Sequence, residues 1–247
     1  MVKVSVITVA FQSEGVIGRT IESILAQDYP AMEYWIIEGA GTDRTMEIAN
    51  QYAERFREKG ISYHVVSEPD RGIYDAMNKG IKLATGEIIG ILNSGDTYEP
   101  DAVKRAVKAF EETGCELVFG NITIHKANGK SFRKKARQRK FYQTSRDWNH
   151  PTMFVKSELY KQYPFPNKGI HDDYAFYLRM RKENHKIVVI DKVMATFHMG
   201  GASNRKELSA AQKRIWDRYR YCYRANGYSR WYILECVFME TVKWILG

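Results

Sequence analysis

The segment from Glu68 to Asp96 restricts the fold of this chain more than any other. Glu68-Pro-Asp-Arg-Gly72 reads as a turn, Ile73 to Ala84 as a helix, and Gly86 to Leu92 as a tight turn and buried strand ending in Asn93-Ser-Gly-Asp96. A helix that carries the chain back to an almost wholly apolar strand is the connection of a parallel sheet covered on both faces. Open sheets of that kind place their ligands outside the carboxyl ends of the strands. Asp96 is a lone carboxylate at such an end, beside a flexible Ser-Gly. An acid there can hold a divalent cation against phosphate oxygens.

The rest of the first hundred residues repeats the alternation. Val2 to Val9 is an almost continuous β-branched run, the mark of a strand buried on both faces. Glu14 to Ala26 carries Val16, Ile17, Ile21, Ile24 and Leu25 at helical spacing, and Asp28-Tyr-Pro30 stops it. Glu33 to Glu38 reads as a second strand, Thr42-Asp43 as the cap of one helix reaching Glu58, and Ile61 to Val66 as a third strand. The pattern argues a right-handed, mostly parallel, doubly wound sheet. Beyond it come a helix over Pro100 to Glu112 and a strand over Glu116 to His125. Then follow a hairpin turn at Asn128-Gly129 and a short strand led by His150-Pro151. A helix over His171 to Glu183, strands over Lys186 to Ile190 and Val193 to His198, and two helices broken near Asn226-Gly227 complete the chain.

The 247 residues suffice for one large α/β domain with an appendage. A net charge of +9 suits nucleic acid, anionic lipid or phosphorylated substrates. No nucleic-acid-binding motif accompanies it, and carboxylates at the strand ends would repel a phosphate backbone, so nucleic acid is not expected as a partner. Cys115, Cys222 and Cys236 are too few and too scattered for a disulfide framework or zinc site, which points to a reduced, cytosolic compartment. Neither a signal-like leader nor a stretch of about 20 uncharged apolar residues is present.

With the strand Val4-Ser-Val-Ile-Thr-Val-Ala-Phe11, these motifs resemble the family 2 glycosyltransferases of the GT-A fold, which move a sugar from a nucleotide diphosphate to an acceptor hydroxyl. The resemblance covers about residues 2 to 200. It implies an α/β, Rossmann-like doubly wound mixed sheet over residues 1–203 and a C-terminal helical extension over 204–247. Phe11 stands where the family has an aromatic on the nucleotide base, the alternative being a core aromatic. Ile36-Ile-Glu-Gly-Ala-Gly-Thr-Asp-Arg-Thr45 matches an acid–glycine turn in which Glu38 would accept bonds from ribose or uracil, while Asp43 caps a helix. Asp70 and Arg71 would border the base and diphosphate, or form a polar turn. Asn78, unfavourable inside a helix, points to a polar task.

Asn93-Ser94-Gly95-Asp96 occupies the place of the family's metal motif with only the last acid retained, so Asp96 would hold Mn2+ or Mg2+, with Ser94 and Gly95 against the nucleotide-sugar. His198, in Phe197-His-Met-Gly-Gly-Ala-Ser203, would sit near that metal or the diphosphate. His171-Asp-Asp173 opens a helix with Arg179 six residues on, which makes Asp173 the family's catalytic base, with Asp172 capping or assisting. His150 fits a subgroup pattern on the acceptor side. The implied reaction is an inverting transfer from a nucleotide-sugar donor, UDP by resemblance, to a lipid-linked saccharide acceptor in bacterial surface polysaccharide assembly. Two rival readings stand beside it: a nucleotide-sugar-binding scaffold without catalysis, because the first acid of the metal motif is missing, and a basic nucleic-acid-binding module using the +9 charge with interleaved aromatics.

The basic stretch Lys126 to Lys140 and the residues Arg214, Arg218, Arg220 and Arg224, interleaved with Trp and Tyr, suit a membrane surface. From Trp231 to Leu246 the charges Glu235, Glu240 and Lys243 share one helical side, an arc of about 140°. That helix would lie at a lipid interface, dock on the core, or meet a second subunit in a homodimer. The expected location is cytoplasmic, peripheral on the inner face of the cell membrane.

Overall fold

In a computed structural model that describes residues 1–126, 128–199 and 208–246, the early alternation becomes four parallel strands. These are β1 (Val4–Ala10), β2 (Met32–Glu38), β3 (Ser62–Ser67) and β4 (Ile88–Ile91). β1 lies between β2 and β4, with β3 outside β2. All seven β1 residues are buried because both faces are covered. The chain adds β5 (Thr97–Tyr98), β6 (Leu117–His125), β7 (Ser131–Lys134), β8 (Phe154–Lys156) and β9 (Ile187–His198). The order is β3-β2-β1-β4-β8-β6-β9-β5, with β7 beside the far half of β6. β8 is antiparallel to both its neighbours and β5 to β9, so the sheet is mixed.

Period-two alternation sorts β1 between two cores. Val4 and Val6 lie in the core shared with α1 (Ile17–Leu25), α3 (Ala53–Glu58) and α5 (Ala102–Thr113), with Ile21, Phe56 and Val103. Ile7 and Val9 lie in the other core, shared with α4 (Ile73–Leu83), α6 (Ser157–Gln162) and α7 (Asp172–Lys182), with Met77, Tyr160 and Tyr177. Gly80 lets α4 lie close on β1, since a Cβ there would come within 2.5 Å of Ile7 Cγ2.

Three elements differ from expectation. The helix expected to run unbroken to Glu58 is two, α2 (Thr45–Asn50) and α3, and the break at Gln51-Tyr52 turns Phe56 inward to stack on Tyr63 at 4.5 Å. The two late strands are one, β9, whose register against β6 slips between Gly120 and Ile122, so Asp191-Lys192 bulges out. His150–Thr152 forms a 3-10 turn before β8.

The C-terminal segment comprises α8 (Leu208–Asp217), a π-helical turn (Arg218–Arg224) and α9 (Tyr232–Leu246). Cys222, Tyr223 and Cys236 share a core with α7. Tyr223 and Tyr174 hydroxyls meet at 3.0 Å. Two of the arginines expected to face a membrane do not: Arg214 and Arg218 are buried against Glu240 at 2.9 and 3.2 Å, because its carboxylate draws them inward. The stretch 200–203 and the expected boundary at 203/204 lie outside the described residues. No helix of the described residues is long and apolar enough to cross a membrane.

Candidate active site

Parallel pairing brings the carboxyl ends of β1 to β4 to one edge of the sheet. β8 is antiparallel to β4, so the His150–Thr152 turn that precedes it belongs to the same edge. After β4, the Ser94 N–H donates to the Val9 carbonyl (3.2 Å), and the Ser94 and Ser13 hydroxyls meet at 2.9 Å. Gly95 has φ 98°, a left-handed conformation open to glycine. Its N–H donates to Thr20 Oγ1, which donates in turn to the Asp96 carbonyl, both at 2.8 Å. Thr20 therefore fastens the Asp96 turn to α1. Its sequence signal is a polar residue among Ile17, Ile21 and Ile24.

Asp96 is 5% exposed. Its Oδ1 accepts the His198 N–H at 3.1 Å, and Oδ2 accepts no hydrogen bond from the described residues. Burial pushes its carboxyl up to about 7, against the opposing His198 N–H and Arg19 charge. A buried carboxylate with an oxygen that takes no partner among the described residues fits a cation. No group of three or more His, Cys, Asp or Glu side chains among the described residues could enclose one. The fit is therefore to a cation held by one carboxylate, substrate oxygens and water. His198 reaches Asp96 through its backbone, while its ring stacks on His125 at 5.0 Å.

Phe11 is 60% exposed at the end of β1, not a core aromatic. A Cβ on Gly39 would lie 3.1 Å from the Phe11 ring and 2.5 Å from Asp70 Oδ2, so Phe11 and Asp70 crowd one glycine. Asp70 Oδ1 accepts the Gly72 N–H at 2.8 Å, and the exposed Arg71 pairs with Asp75 at 3.1 Å. Glu38, expected to face ribose or uracil, is buried. Its Oε1 accepts the Gly41 N–H and its Oε2 the Ser67 hydroxyl, both at 2.7 Å, so it shapes the loop after β2. Asp43, expected as the helix cap, lies one residue before the N-cap Arg44; its carboxylate accepts the Thr45 N–H at 3.1 Å and the Glu14 N–H at 2.9 Å, tying the start of α2 to the loop after β1.

Asp173, in the first turn of α7, is a firmly held carboxylate at this edge. Its Oδ1 accepts the Tyr74 hydroxyl at 2.9 Å and the Tyr174 N–H at 2.7 Å. Its Oδ2 lies 3.2 Å from His150 Nδ1, with about 15% of the Asp173 side chain exposed. Burial holds the His150 imidazole below its ordinary pKa, opposed by the Asp173 charge. No motif marks Tyr74, the second residue of α4, separated by one residue from the Asp70-Arg71-Gly72 loop. Asp172 points elsewhere: buried, it accepts the Lys168 N–H at 2.8 Å. In that loop Asn167 donates to the Arg71 carbonyl at 3.1 Å, so Asp172 links α7 to the Asp70-Arg71 turn. Arg179 pairs with Glu183 at 2.8 Å. Asn78 has its polar task, bonding the Phe165 carbonyl at 2.8 Å and N–H at 3.0 Å.

The sequence model of glycosyl transferase family 2 matches residues 5–182. A PGL/p-HBAD biosynthesis glycosyltransferase of Mycobacterium bovis is 34% identical over 127 residues, 50% of this chain and 48% of that one. The chain thus spans about half the length of that curated relative. The putative teichuronic acid biosynthesis glycosyltransferase TuaG of Bacillus subtilis is 25% identical over 229 residues, 88% of this chain and 87% of TuaG. Among solved structures, S. aureus TarS 1–349 in complex with UDP matches with a TM-score of 0.63 at 21% identity, over 91% of this chain and 74% of that one. The mannosyltransferase PcManGT from Pyrobaculum calidifontis, in complex with GDP-Man and Mn2+, matches with a TM-score of 0.64 at 20% identity, over 89% and 61%. These likenesses show the fold, which is GT-A.

Proposed function

This chain belongs to glycosyltransferase family 2, and we propose that it transfers a sugar with inversion from a UDP-sugar to a hydroxyl of a lipid-linked saccharide in bacterial surface polysaccharide assembly. The observation that carries this reading is the Asp173 carboxylate, fixed by Tyr74 and Tyr174 at the sheet edge that also bears Asp96. Asp173 takes the proton of the acceptor hydroxyl as that oxygen bonds to the anomeric carbon and the bond to the diphosphate breaks. One displacement inverts the centre, so an α-linked donor gives a β-glycoside. Phe11 stacks on the base, Asp70 and Arg71 border base and diphosphate, and Ser94 and Gly95 line the donor. Glu38 acts through the loop it braces. Asp96 would hold Mn2+ or Mg2+, which when bound neutralises charge on the departing diphosphate.

The UDP complex of TarS supports the donor, and the printed role of TuaG supports the polysaccharide context. The Mn2+ of the PcManGT complex supports the metal. A lipid-linked acceptor implies work at the inner face of the cell membrane, with residues 1–203 catalytic and 204–247 an extension of that domain. The test is nucleotide release from UDP-glucose, UDP-galactose, their N-acetyl forms and GDP-mannose, with and without Mn2+, together with the anomeric configuration of the product. Metal-dependent release of UDP and a β product are expected. Retained configuration would rule out the single displacement. Donor binding with no release under any condition would favour a nucleotide-sugar-binding scaffold.

A further inference from the structure

Helix α9 is inside out. Its carboxylates over Trp231 to Val242 face the protein: Glu240 is buried between Arg214 and Arg218, and Glu235 accepts the Tyr223 hydroxyl at 3.1 Å. The exposed positions are Trp231, Leu234, Val237, Phe238 and Thr241, which share one side at helical spacing and carry no charge. Trp231, Leu234 and Phe238 are each more than 60% exposed. The helix cannot rotate this face inward without pulling Glu240 from two buried guanidinium groups. Cations flank its start. The Arg230 guanidinium lies 5.8 Å from the centre of the Trp231 ring, and Arg224 is exposed. The Gln143 N–H donates to the Tyr232 hydroxyl at 3.2 Å, bringing alongside a loop in which Lys140 lies over the ring of the 89% exposed Phe141.

From this arrangement we infer that the outer face of α9, with the Lys140-Phe141 and Arg230-Trp231 pairs, is the surface by which the enzyme docks in the plane of an anionic lipid membrane. The inference rests on the lipid-linked acceptor proposed above and names the surface that meets the membrane. An apolar helical face with aromatic and cationic residues at its border matches the layering of a headgroup region. A second copy fits less well. A copy of the same face would bring a second set of the cations Arg224, Arg230 and Lys140 to the contact with no carboxylate among its exposed positions to offset them, whereas anionic headgroups neutralise them.

The experiment is flotation of the full chain with vesicles of phosphatidylglycerol and phosphatidylcholine, against vesicles of phosphatidylcholine alone. The chain should float with the anionic vesicles, less so at high salt. The double variant Leu234→Asp, Phe238→Asp should lose at least about tenfold in vesicle-bound fraction while melting temperature and UDP affinity stay at the parent values. Equal flotation of variant and parent, or equal binding to both vesicle types, would overturn the inference. So would a parent dimer in light scattering that the variant converts to monomer while neither floats. Flotation intact with no transfer to a lipid-linked acceptor would support the docking surface and count against the acceptor alone. Transfer to a water-soluble acceptor with no flotation would count against the docking surface alone.

Discussion

At the scale of the residue, the two neighbouring acids at the head of α7 have divided tasks. Asp173 keeps part of its carboxylate open while Tyr74 and Tyr174 fix its direction. Asp172 spends itself on the loop before the helix. Asp173→Asn should therefore lower kcat by about 10²–10⁴-fold with donor affinity unchanged, because a general base acts in the transition state. Asp172→Asn should lower the melting temperature and keep most of the rate. Turnover and UDP-sugar binding of both variants check this, and the reverse pattern would exchange the two roles. Asp96 gives a pH signature. Its folded-state pKa of about 7 lies above its ordinary 3.8. Between those values the folded chain keeps a proton that the unfolded chain has released, so stability falls as pH rises through that window and levels off above it. In chelator, Asp96→Asn should match the parent near pH 4 and be the more stable near pH 8. Melting curves at both pH values decide it, since an unchanged difference would mean that Asp96 does not titrate in this way.

At the scale of the element, α9 is held by buried charge as well as by the packing of Tyr232 and Cys236. Arg214, Glu240 and Arg218 form a triad buried beneath it. Removing one member of such a group leaves the others desolvated without compensation. Glu240→Ala should cost about 3–5 kcal/mol, well above the typical point mutant. Denaturant unfolding measures it, and a loss under about 1 kcal/mol would mean that water reaches the arginines. The same helix illustrates what periodicity conveys. That Glu235 and Glu240 share a side follows from 3.6 residues per turn. Which side turns inward depends on arginines in other elements, and here the polar side does. The break between α2 and α3 has a similar origin, since Phe56 finds Tyr63 across the chain.

At the scale of the whole molecule, the head of α7 that bears Asp173 and the C-terminal helices share one core. Tyr223 bonds Tyr174, the neighbour of Asp173, and packs with Cys222 and Cys236 beneath α7. A chain ending at Ser203 should expose that face of α7, melt lower, and lose transfer even to a water-soluble acceptor. Calorimetry and turnover of the shortened chain check this, and full activity would separate the helices from the site. The sequence by itself determined the strand–helix alternation, the two-sided burial of β1, the Asp96 turn and the head of α7, because those patterns repeat within a few residues and depend on local backbone geometry. Only the tertiary structure decided that Glu38 braces its own loop, that His198 meets Asp96 through its backbone, that Tyr74 and His150 converge on Asp173, and that α9 shows its apolar side. Each of those outcomes depends on a hydrogen-bond or charge partner supplied from elsewhere in the chain. A buried polar group takes whichever partner the fold brings within reach, and no spacing along the chain encodes that choice.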